Sequence, residues 1–322
     1  MNVTRPEIRL RHKDLLTLAD LEPGEIHAIL EAGAICKAKH LAGELFVPLL
    51  GKSIGMVFHK PSARTRISFE LGAFQLGGHA VQLKDEDIGI GSRETVEDVA
   101  RLFSRYFDGV VIRTFDHTLV TQLAEHASIP VINALTDYEH PCQILADLMT
   151  VKELGKPFKG LKVAFIGDGN NVATAWAFAA GKLGFHLAVA SPQGYELHDA
   201  VIAEAMEDGV KTGGKITRSA DPIEAAQGAD VVYTDVWTSM GQEAERAERL
   251  AAFARYQVNE SLMKKAKGDA VAMHCLPAHR GEEISAETFE RFQKVIFDEA
   301  ENRLHVQKGL LTLLMGRNLP QA

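Results

Sequence analysis

The sequence predicts an α/β protein of two doubly wound domains, each with a parallel sheet that helices cover on both faces. Short apolar runs of strand length alternate with longer segments of helical periodicity along most of the chain, and this alternation is typical of parallel sheets. The pattern stops at the Gly-, Pro- and Lys-rich stretch 155–160 and then begins again. At 322 residues the chain also exceeds the usual size of a single hydrophobic core.

The first domain is predicted to begin with a helical hairpin at about 15–39, after which strands and helices alternate. Gly77-Gly78 ends the helix that follows the first strand, since glycine readily adopts the left-handed conformation that closes a helix. We expect strands at 54–58, 80–83, 109–113 and 130–133, and helices at 63–76, 94–106, 117–126 and 141–154.

The second domain repeats this plan without repeating the sequence. We expect strands at 162–166, 186–190, 231–234 and 270–273, helices at 172–183, 199–208 and 260–266, and a tail helix at 298–315 whose destination does not follow from the pattern. The predicted domains therefore span 1–150 and 151–300, are joined by helices, and are followed by a C-terminal helix at 301–322. Ligands of doubly wound sheets bind beyond the carboxyl ends of the strands, so the active site is expected in the cleft between the domains.

Composition and charge exclude several classes of function. With 46% hydrophobic and 24% charged residues, the chain is typical of soluble globular proteins. Its net charge of −8 argues against a general surface for nucleic acid or for an anionic membrane. The first residues contain no apolar signal region, and no uncharged apolar run reaches membrane-spanning length, which predicts a cytoplasmic protein.

The cysteines favour neither disulfides nor a thiolate metal site. Cys36, Cys142 and Cys275 are an odd number and show no Cys-x-x-Cys spacing. We expect three free thiols.

The segment Ser62-Ala63-Arg64-Thr65-Arg66 follows an apolar strand and opens a helix. A helix N-terminus has unpaired backbone N–H groups and a partial positive charge, and the two arginines add forked donors. These features predict a site for a dianion such as a phosphate. The alternative, for this motif taken alone, is a capped helix start whose arginines face water.

Polar residues also follow the later strands of the first domain. Arg113 ends the strand at 109–113, where it is either a ligand-binding residue or a charge on the rim. His140 precedes the next helix and Gln143 lies one helical turn further on, so both side chains can face one place. A histidine that donates to a developing oxyanion, and a glutamine that both donates and accepts, suit a small carbonyl compound. An ordinary loop histidine is the alternative.

In the second domain, Gly167-Asp168-Gly169-Asn170-Asn171 follows a predicted strand. This start is similar to a dinucleotide-binding loop, but the third glycine and the acidic ribose ligand are absent, so we interpret the two asparagines as facing another ligand. Asp235, after the strand at 231–234, suits a substrate ammonium, with a helix N-cap as the alternative.

The last strand of the second domain leads into His274-Cys275-Leu276-Pro277-Ala278-His279. A zinc site or a Cys–His nucleophile pair is conceivable here, but no convincing fourth metal ligand is nearby. We favour an arrangement in which Cys275 and the Leu276 carbonyl face the ligand, with Pro277 fixing the turn.

Four motifs now stand in order along the chain: Ser-x-Arg-Thr-Arg at 62–66, His-Pro-Cys-Gln at 140–143, Asp-Val-Trp-x-Ser-Met-Gly at 235–241 and His-Cys-Leu-Pro at 274–277. With them, the chain resembles the aspartate/ornithine carbamoyltransferase family over nearly its whole length, including the C-terminal Glu301-Asn302-Arg303. The last two motifs are similar to those of the members that use ornithine.

The resemblance implies transfer of the carbamoyl group from carbamoyl phosphate to the δ-amine of L-ornithine, which gives L-citrulline and phosphate. It implies that 1–150 binds carbamoyl phosphate, that 151–300 binds ornithine, and that the helix at 301–322 returns to the first domain. No metal, nucleotide or organic cofactor is implied. The family is typically a homotrimer with sites at subunit interfaces, so we expect a homotrimer.

The resemblance also assigns residues to each substrate. Arg113, His140 and Cys275 are expected at the catalytic centre. The residues expected to bind carbamoyl phosphate are Ser62, Ala63, Arg64, Thr65, Arg113, His140, Gln143, Cys275, Leu276 and Arg303, and those expected to bind ornithine are Asn171, Asp235, Ser239 and Met240.

The sequence departs from the family pattern at two positions. Ala63 stands where the family usually has Thr, which should matter little for a residue that contributes mainly its backbone. Gly89 stands where many bacterial relatives have a Gln that reaches the neighbouring subunit's site, which puts that contact in question here.

Three alternatives remain open. The acceptor could be another amine, such as putrescine or acetylornithine, although such a ligand without a free α-ammonium would leave Asp235 unpaired. The enzyme could work in the catabolic direction of arginine degradation, although we expect a role in arginine biosynthesis. The chain could also be a ligand-binding protein that kept the fold and lost turnover.

Overall fold

The structure is a computed structural model and describes residues 10–84 and 88–316. The chain divides into two compact units. The first runs up to Met149 and resumes at Asn302, and the second is Thr150–Glu301. Within the described residues, no helix is both long enough and apolar enough to cross a membrane.

The first unit contains a four-stranded sheet of parallel strands in the order β2-β1-β3-β4. The strands are β1 Ser53–Phe58, β2 His79–Leu83, β3 Gly109–Arg113 and β4 Val131–Leu135, and the helices are α1 Pro23–Leu41, α2 Ala63–Gln75, α3 Val96–Tyr106, α4 His117–His126 and α5 Pro141–Glu153. β3 and β4 are buried along their whole length. β3 is a central strand, and β4, at the edge of the sheet, is paired on its outer side with Leu15 through an isolated bridge to Ile132. The winding of the sheet reverses between β1 and β3, which is where doubly wound sheets bind ligands.

The predicted N-terminal hairpin is wrong, because this region holds one long helix. A short 3-10 turn at Leu18–Asp20 precedes α1. The side chain of Glu22 caps the start of α1 and Glu25 bonds back to the Glu22 backbone, with Pro23 in the first turn. Proline and a reciprocal acidic cap both favour a helix start at this point rather than a break within a hairpin.

α2 exposes three large apolar side chains on one face and buries Phe69 together with smaller residues on the other. Ile67, Leu71 and Phe74, which share one face of the helix, are 48%, 44% and 74% exposed. The buried side includes Gly72, where an added Cβ would lie 3.3 Å from Cγ of Lys308. The C-terminal helix therefore approaches α2 at Gly72, and Ile67, Leu71 and Phe74 stay exposed among residues 10–84 and 88–316.

The second unit contains a five-stranded parallel sheet in the order β7-β6-β5-β8-β9. The strands are β5 Lys162–Ile166, β6 His186–Ala190, β7 Lys215–Ser219, β8 Val231–Thr234 and β9 Val271–His274, and the helices are α6 Asn171–Leu183, α7 Asp199–Thr212, α8 Pro222–Ala226, α9 Arg246–Phe253 and α10 Glu260–Met263. The edge strand β7 escapes prediction because its sequence, Lys-Ile-Thr-Arg-Ser, has no apolar run. Here the winding reverses between β5 and β8.

The last helix, α11 Ala286–Met315, is 30 residues long and begins well before the predicted start at 298. Phe289, Phe292 and Ile296 in its first half belong to the core of the second unit. From Asn302 onward the helix belongs to the first unit. The predicted tail helix is thus the second half of a longer one.

Candidate active site

The start of α2 has the geometry of a capped helix N-terminus. Ser62 is the N-cap, and its side chain accepts a hydrogen bond from the backbone N–H of Thr65 at 3.3 Å. Thr65 is buried, whereas Ala63 and Arg64 are exposed. The cap occupies one backbone donor of the first turn, and the helix dipole still favours an anion there.

Arg66 takes no part in this arrangement, because its guanidinium points to the neighbouring strand. Its Nη1 donates to Oε1 of Gln82 in β2 at 2.9 Å, on the surface. The sequence suggested two arginines at the predicted anion site, and the structure leaves Arg64 as the one from this motif.

Arg113 is a buried cation at the carboxyl end of β3. Burial, together with repulsion from Arg303 and Arg64, lowers its pKa to about 10. Its Nε is buried without a hydrogen-bond partner, and no ion-pair partner for Arg113 is found among residues 10–84 and 88–316. A desolvated guanidinium without a counter-ion destabilises the folded protein. An anionic ligand bound at this position would supply the missing negative charge.

His140 is neutral and lies immediately before α5. Burial lowers its pKa well below the ordinary histidine value, and the charges of Arg303, Arg113 and Arg64 lower it further. Its Nδ1 is buried and finds no partner within the described part of the chain. A neutral imidazole among guanidinium groups can hydrogen-bond a carbonyl compound without adding another positive charge.

Gln143 and Arg303 are joined by hydrogen bonds, although they lie far apart in sequence. Nη1 of Arg303 donates to Oε1 of Gln143, and Nη2 donates to Oγ1 of Thr65 at 3.1 Å. Nε2 of Gln143 donates to Oδ1 of Asp147 at 2.8 Å. The predicted residues Thr65, Gln143 and Arg303 therefore form one buried network, and Asp147 is a member that the sequence analysis missed.

The segment around Gly89 is a tight turn. The Gly89 carbonyl accepts from the backbone N–H groups of Ser92 and Arg93 at 3.0 and 2.8 Å. Gly89 has a φ of 60°, and an added Cβ would lie 2.8 Å from Cβ of Arg93. A glutamine in this conformation would be strained, which accounts for glycine at this position.

In the second unit, Asp235 follows β8 and is held by three donors. Oδ1 accepts from the Cys275 thiol at 3.0 Å and from the Val236 backbone at 2.8 Å, and Oδ2 accepts from Nδ2 of Asn170 at 2.8 Å. No helix begins at Asp235, so the alternative of an N-cap aspartate is wrong. The carboxylate is buried and fixed in orientation, as a counter-ion for an ammonium group would need to be.

The two asparagines after β5 have different positions. Asn170 is the N-cap of α6, where its Oδ1 accepts from the backbone of Val172 and Ala173, and Asn171 is the first residue of the helix. Sequence reasoning missed the adjacent ion pair between Asp168 and Arg249, at 2.7 Å. Nη1 of Arg249 also donates to the Trp237 carbonyl at 3.1 Å, which ties the loop after β8 to the loop after β5.

The turn after β9 is held by the side chain of His274. Nδ1 of His274 accepts from the Leu276 backbone at 2.9 Å, and Nε2 lies 3.0 Å from the buried carboxylate of Glu283. Leu276 has a φ of 58°, a left-handed conformation that is strained for a branched residue. His274 and Glu283 thus maintain a backbone conformation that the sequence does not favour locally.

The structure argues against the zinc alternative at this turn. Asp235, His274 and Cys275 bring possible ligand atoms within 4.8 Å of one another. Both ring nitrogens of His274 are, however, engaged with protein atoms, and the Cys275 thiol donates to Asp235. A metal ion at this place would have to displace these hydrogen bonds.

Ser239 and Met240 lie in the loop between β8 and α9. Ser239 is half-buried, and its backbone N–H donates to Oε1 of Gln242 at 3.0 Å. Met240 is 48% exposed. Within the region that the structure describes, no hydrogen bond joins either residue to Asp235.

These observations define a class of protein. Each unit is a doubly wound α/β unit with polar residues beyond the carboxyl ends of its strands, where this class binds small ligands. The first unit is suited to an anion, because Arg113 is buried, has no ion-pair partner in the described part of the chain, and lies close to two further guanidiniums. The second is suited to an amine, because Asp235 is a fixed carboxylate.

Comparisons with known proteins agree with this description. Residues 13–153 match the family model for the carbamoyl-P binding domain of aspartate/ornithine carbamoyltransferase, and residues 159–314 match the model for its Asp/Orn binding domain. The ornithine carbamoyltransferase of Anoxybacillus flavithermus is 52% identical over 98% of this chain and 100% of its own length.

Two solved structures show the same fold. The ornithine carbamoyltransferase from Pyrococcus furiosus is 47% identical and has a TM-score of 0.93, with coverage of 97% of this chain and 100% of that one. An anabolic ornithine carbamoyltransferase from Campylobacter jejuni is 40% identical, with a TM-score of 0.88 and coverage of 94% and 99%. The chain belongs to the aspartate/ornithine carbamoyltransferase family.

Proposed function

We propose that this protein transfers the carbamoyl group of carbamoyl phosphate to the δ-amine of L-ornithine, forming L-citrulline and phosphate. The observation that carries the proposal is the buried guanidinium of Arg113, which has no ion-pair partner within the described residues and lies close to Arg64 and Arg303. The relatives named as ornithine carbamoyltransferases match nearly the whole chain and support the same reaction.

Residues 1–150 and the helix at 301–322 bind carbamoyl phosphate in this proposal. The phosphate lies at the start of α2, where Ser62, Ala63, Arg64 and Thr65 offer backbone and side-chain donors, and Arg113 neutralises its charge. His140, Gln143 and Arg303 hold the carbamoyl group. Gln143 and Arg303 belong to the buried network with Thr65, and His140 is close enough to Arg303, Arg113 and Arg64 for their charges to lower its pKa.

Residues 151–300 bind ornithine. Asp235 pairs with the α-ammonium group, and Asn171, Ser239 and Met240 contact the rest of the amino acid. Cys275 and the Leu276 carbonyl contact the reacting groups. The support for this assignment is the fixed orientation of Asp235, together with the match to an Asp/Orn binding domain.

The chemistry follows from these positions. The δ-amine must lose its proton before its lone pair attacks the carbonyl carbon, and the new C–N bond forms as the carbonyl oxygen gains negative charge. Arg113, His140 and Arg303 stabilise this oxyanion, and each such donor is typically worth about 10²- to 10³-fold in rate. The attacking nitrogen then loses its second proton, which the departing phosphate accepts. The bond between the carbonyl carbon and the phosphate oxygen breaks, and phosphate leaves with the electron pair.

We place the enzyme in arginine biosynthesis and in the cytoplasm. A relative with a TM-score of 0.88 is described as anabolic, which supports the biosynthetic direction. The alternative is the catabolic direction, in which citrulline and phosphate are the substrates. Rates measured with saturating substrates in both directions distinguish the two roles.

We further propose that the protein is a homotrimer. The support is the outward face of α2, where Ile67, Leu71 and Phe74 are 44–74% exposed. Apolar side chains grouped on one helix face are characteristic of an interface. Analytical ultracentrifugation of the purified protein tests the expected mass of three copies, and a monomer at micromolar concentration would contradict it.

The function is tested by incubating the purified protein with carbamoyl phosphate and an equal concentration of ornithine, putrescine or acetylornithine. We expect citrulline and phosphate in equal amounts from ornithine and slower turnover of the other amines. Faster turnover of another amine would show that ornithine is not the preferred acceptor, while carbamoyl transfer itself would stand. If no acceptor consumes carbamoyl phosphate above background, the proposed function is wrong.

A further inference from the structure

Asp147 is a buried carboxylate one helical turn beyond Gln143 in α5. Its Oδ1 accepts from Nε2 of Gln143 at 2.8 Å, and Oε1 of Gln143 accepts from Arg303. Arginine only donates and an ionised carboxylate only accepts. The chemistry of the two neighbours therefore determines which end of the Gln143 amide points in which direction.

The carbonyl end of this amide faces the start of α2. The guanidinium that donates to Oε1 of Gln143 also donates to Oγ1 of Thr65, in the first turn of that helix. The amide nitrogen faces Asp147, further along α5. In the arrangement proposed above, the amide oxygen is thus the end directed toward carbamoyl phosphate.

We propose that Asp147 is a positioning residue, which orients the Gln143 amide so that its carbonyl oxygen selects ligands carrying an NH₂ group. The inference rests on the proposed function. A carbamoyl group offers an NH₂ donor to this oxygen, whereas an acetyl group offers a methyl. An inverted amide would place its own NH₂ against the NH₂ of the ligand, and two donors cannot bond each other. Asp147, together with Arg303, opposes that inversion.

The test uses two unreactive ligands that differ only at this group. Phosphonoacetamide carries an NH₂ on its carbonyl carbon, and acetonylphosphonate carries a methyl there. Dissociation constants of both are measured by isothermal titration calorimetry on the whole protein. We expect wild type to prefer the amide by about 5- to 100-fold, because a site built to accept a hydrogen bond rejects a ligand that lacks the donor.

Two variants separate orientation from stability. In Asp147→Asn, residue 147 can donate to an inverted Gln143 amide, and only Arg303 still opposes the inversion. The preference therefore falls part of the way toward equality. The double variant Asp147→Asn with Gln143→Glu reverses the hydrogen bond, since the new carboxylate accepts both from the new amide and from Arg303. Both terminal atoms of the residue 143 side chain are then oxygens, so it again offers an acceptor to the ligand. The preference for phosphonoacetamide returns.

Asp108→Asn is the matched control. Asp108 precedes β3, at the opposite end of the sheet, and accepts from Lys52 and from the Ser53 backbone. The same chemical exchange there should leave the ligand preference unchanged. A purely structural role for Asp147 predicts that both ligands weaken equally and that the double variant recovers nothing.

The inference is overturned if Asp147→Asn keeps the wild-type preference, or if the double variant fails to restore it while binding phosphonoacetamide. Citrulline formation on the same wild-type preparation tests the function separately. A wild type that forms citrulline but binds both phosphonates equally overturns the role of Asp147 and leaves the proposed function standing.

Discussion

Arg113 lies opposite Phe58 in the register of β3 and β1. Phe58 ends β1, and the chain then turns into the cap of α2 at Ser62. The pairing therefore places a buried guanidinium beside the segment that leads to a helix N-terminus, at the position where the winding of the sheet reverses. A phosphate at this place gains the helix dipole and a desolvated cation together.

The depressed pKa of His140 predicts that the protein loses stability in weak acid. Because the folded pKa lies below the unfolded value, the unfolded chain binds a proton as the pH falls below about 6.5 while the folded chain does not. Stability is complete above this pH and declines below it, by up to about 1.4 kcal/mol per pH unit for one group.

Urea unfolding of wild type and His140→Gln between pH 7.5 and 5 measures this effect. We expect the stability of wild type to fall more steeply than that of the variant. Burial also lowers the pKa values of His117 and His186, but both remain in the variant and their effects cancel. Equal slopes would show that His140 is not held neutral in the folded protein.

Asp235→Asn should weaken ornithine binding. The exchange keeps the size of the side chain but removes the charge that pairs with the α-ammonium group, and a charge-assisted hydrogen bond is worth about 1.5–3 kcal/mol. Steady-state kinetics should show the KM for ornithine raised about 10- to 100-fold. The KM for carbamoyl phosphate should stay close to that of wild type. A variant in which only the KM for carbamoyl phosphate rises would contradict the assignment of Asp235 to ornithine.

Phe74→Glu should disrupt the homotrimer. A carboxylate at a residue that is 74% exposed in the single chain costs the subunit little, but it would be buried against a neighbouring copy. Sedimentation velocity should show a smaller species at micromolar concentration. Val210→Glu, a change at an apolar residue in α7 of the second unit that is 82% exposed, is the control and should leave the assembly intact. A trimer that survives Phe74→Glu would exclude this face.

The sequence predicts the strands with continuous apolar runs well, because a short run of apolar residues is stable only where both faces of the strand are buried. The predicted and observed bounds agree for β3, β5, β6 and β8. The prediction is wrong for β7, an edge strand without an apolar run, and for the start of α11, which lies at 286 and not at 298. Hydrogen bonds with the neighbouring strand stabilise β7, and these depend on tertiary structure.

The site was predictable where a motif is local. Ser62 and Thr65 lie within one helix start, and their cap follows from residue type alone. The ion pair of Asp168 with Arg249 joins residues that are distant in sequence, and no local pattern indicates it. The contact between Asp147 and Gln143 is predictable from the sequence, because the two residues lie four positions apart on a predicted helix. The exposed apolar face of α2 required the structure, since the same periodicity is typical of a buried face.

The most direct test is the rate of citrulline formation by wild type and Arg113→Ala, measured as a function of carbamoyl phosphate at saturating ornithine. Arg105→Ala, which removes an exposed arginine from α3, is the control. We expect kcat/KM for carbamoyl phosphate to fall by at least about 10²- to 10³-fold in Arg113→Ala and to stay unchanged in the control. Wild-type turnover by Arg113→Ala would contradict the role given to the buried guanidinium.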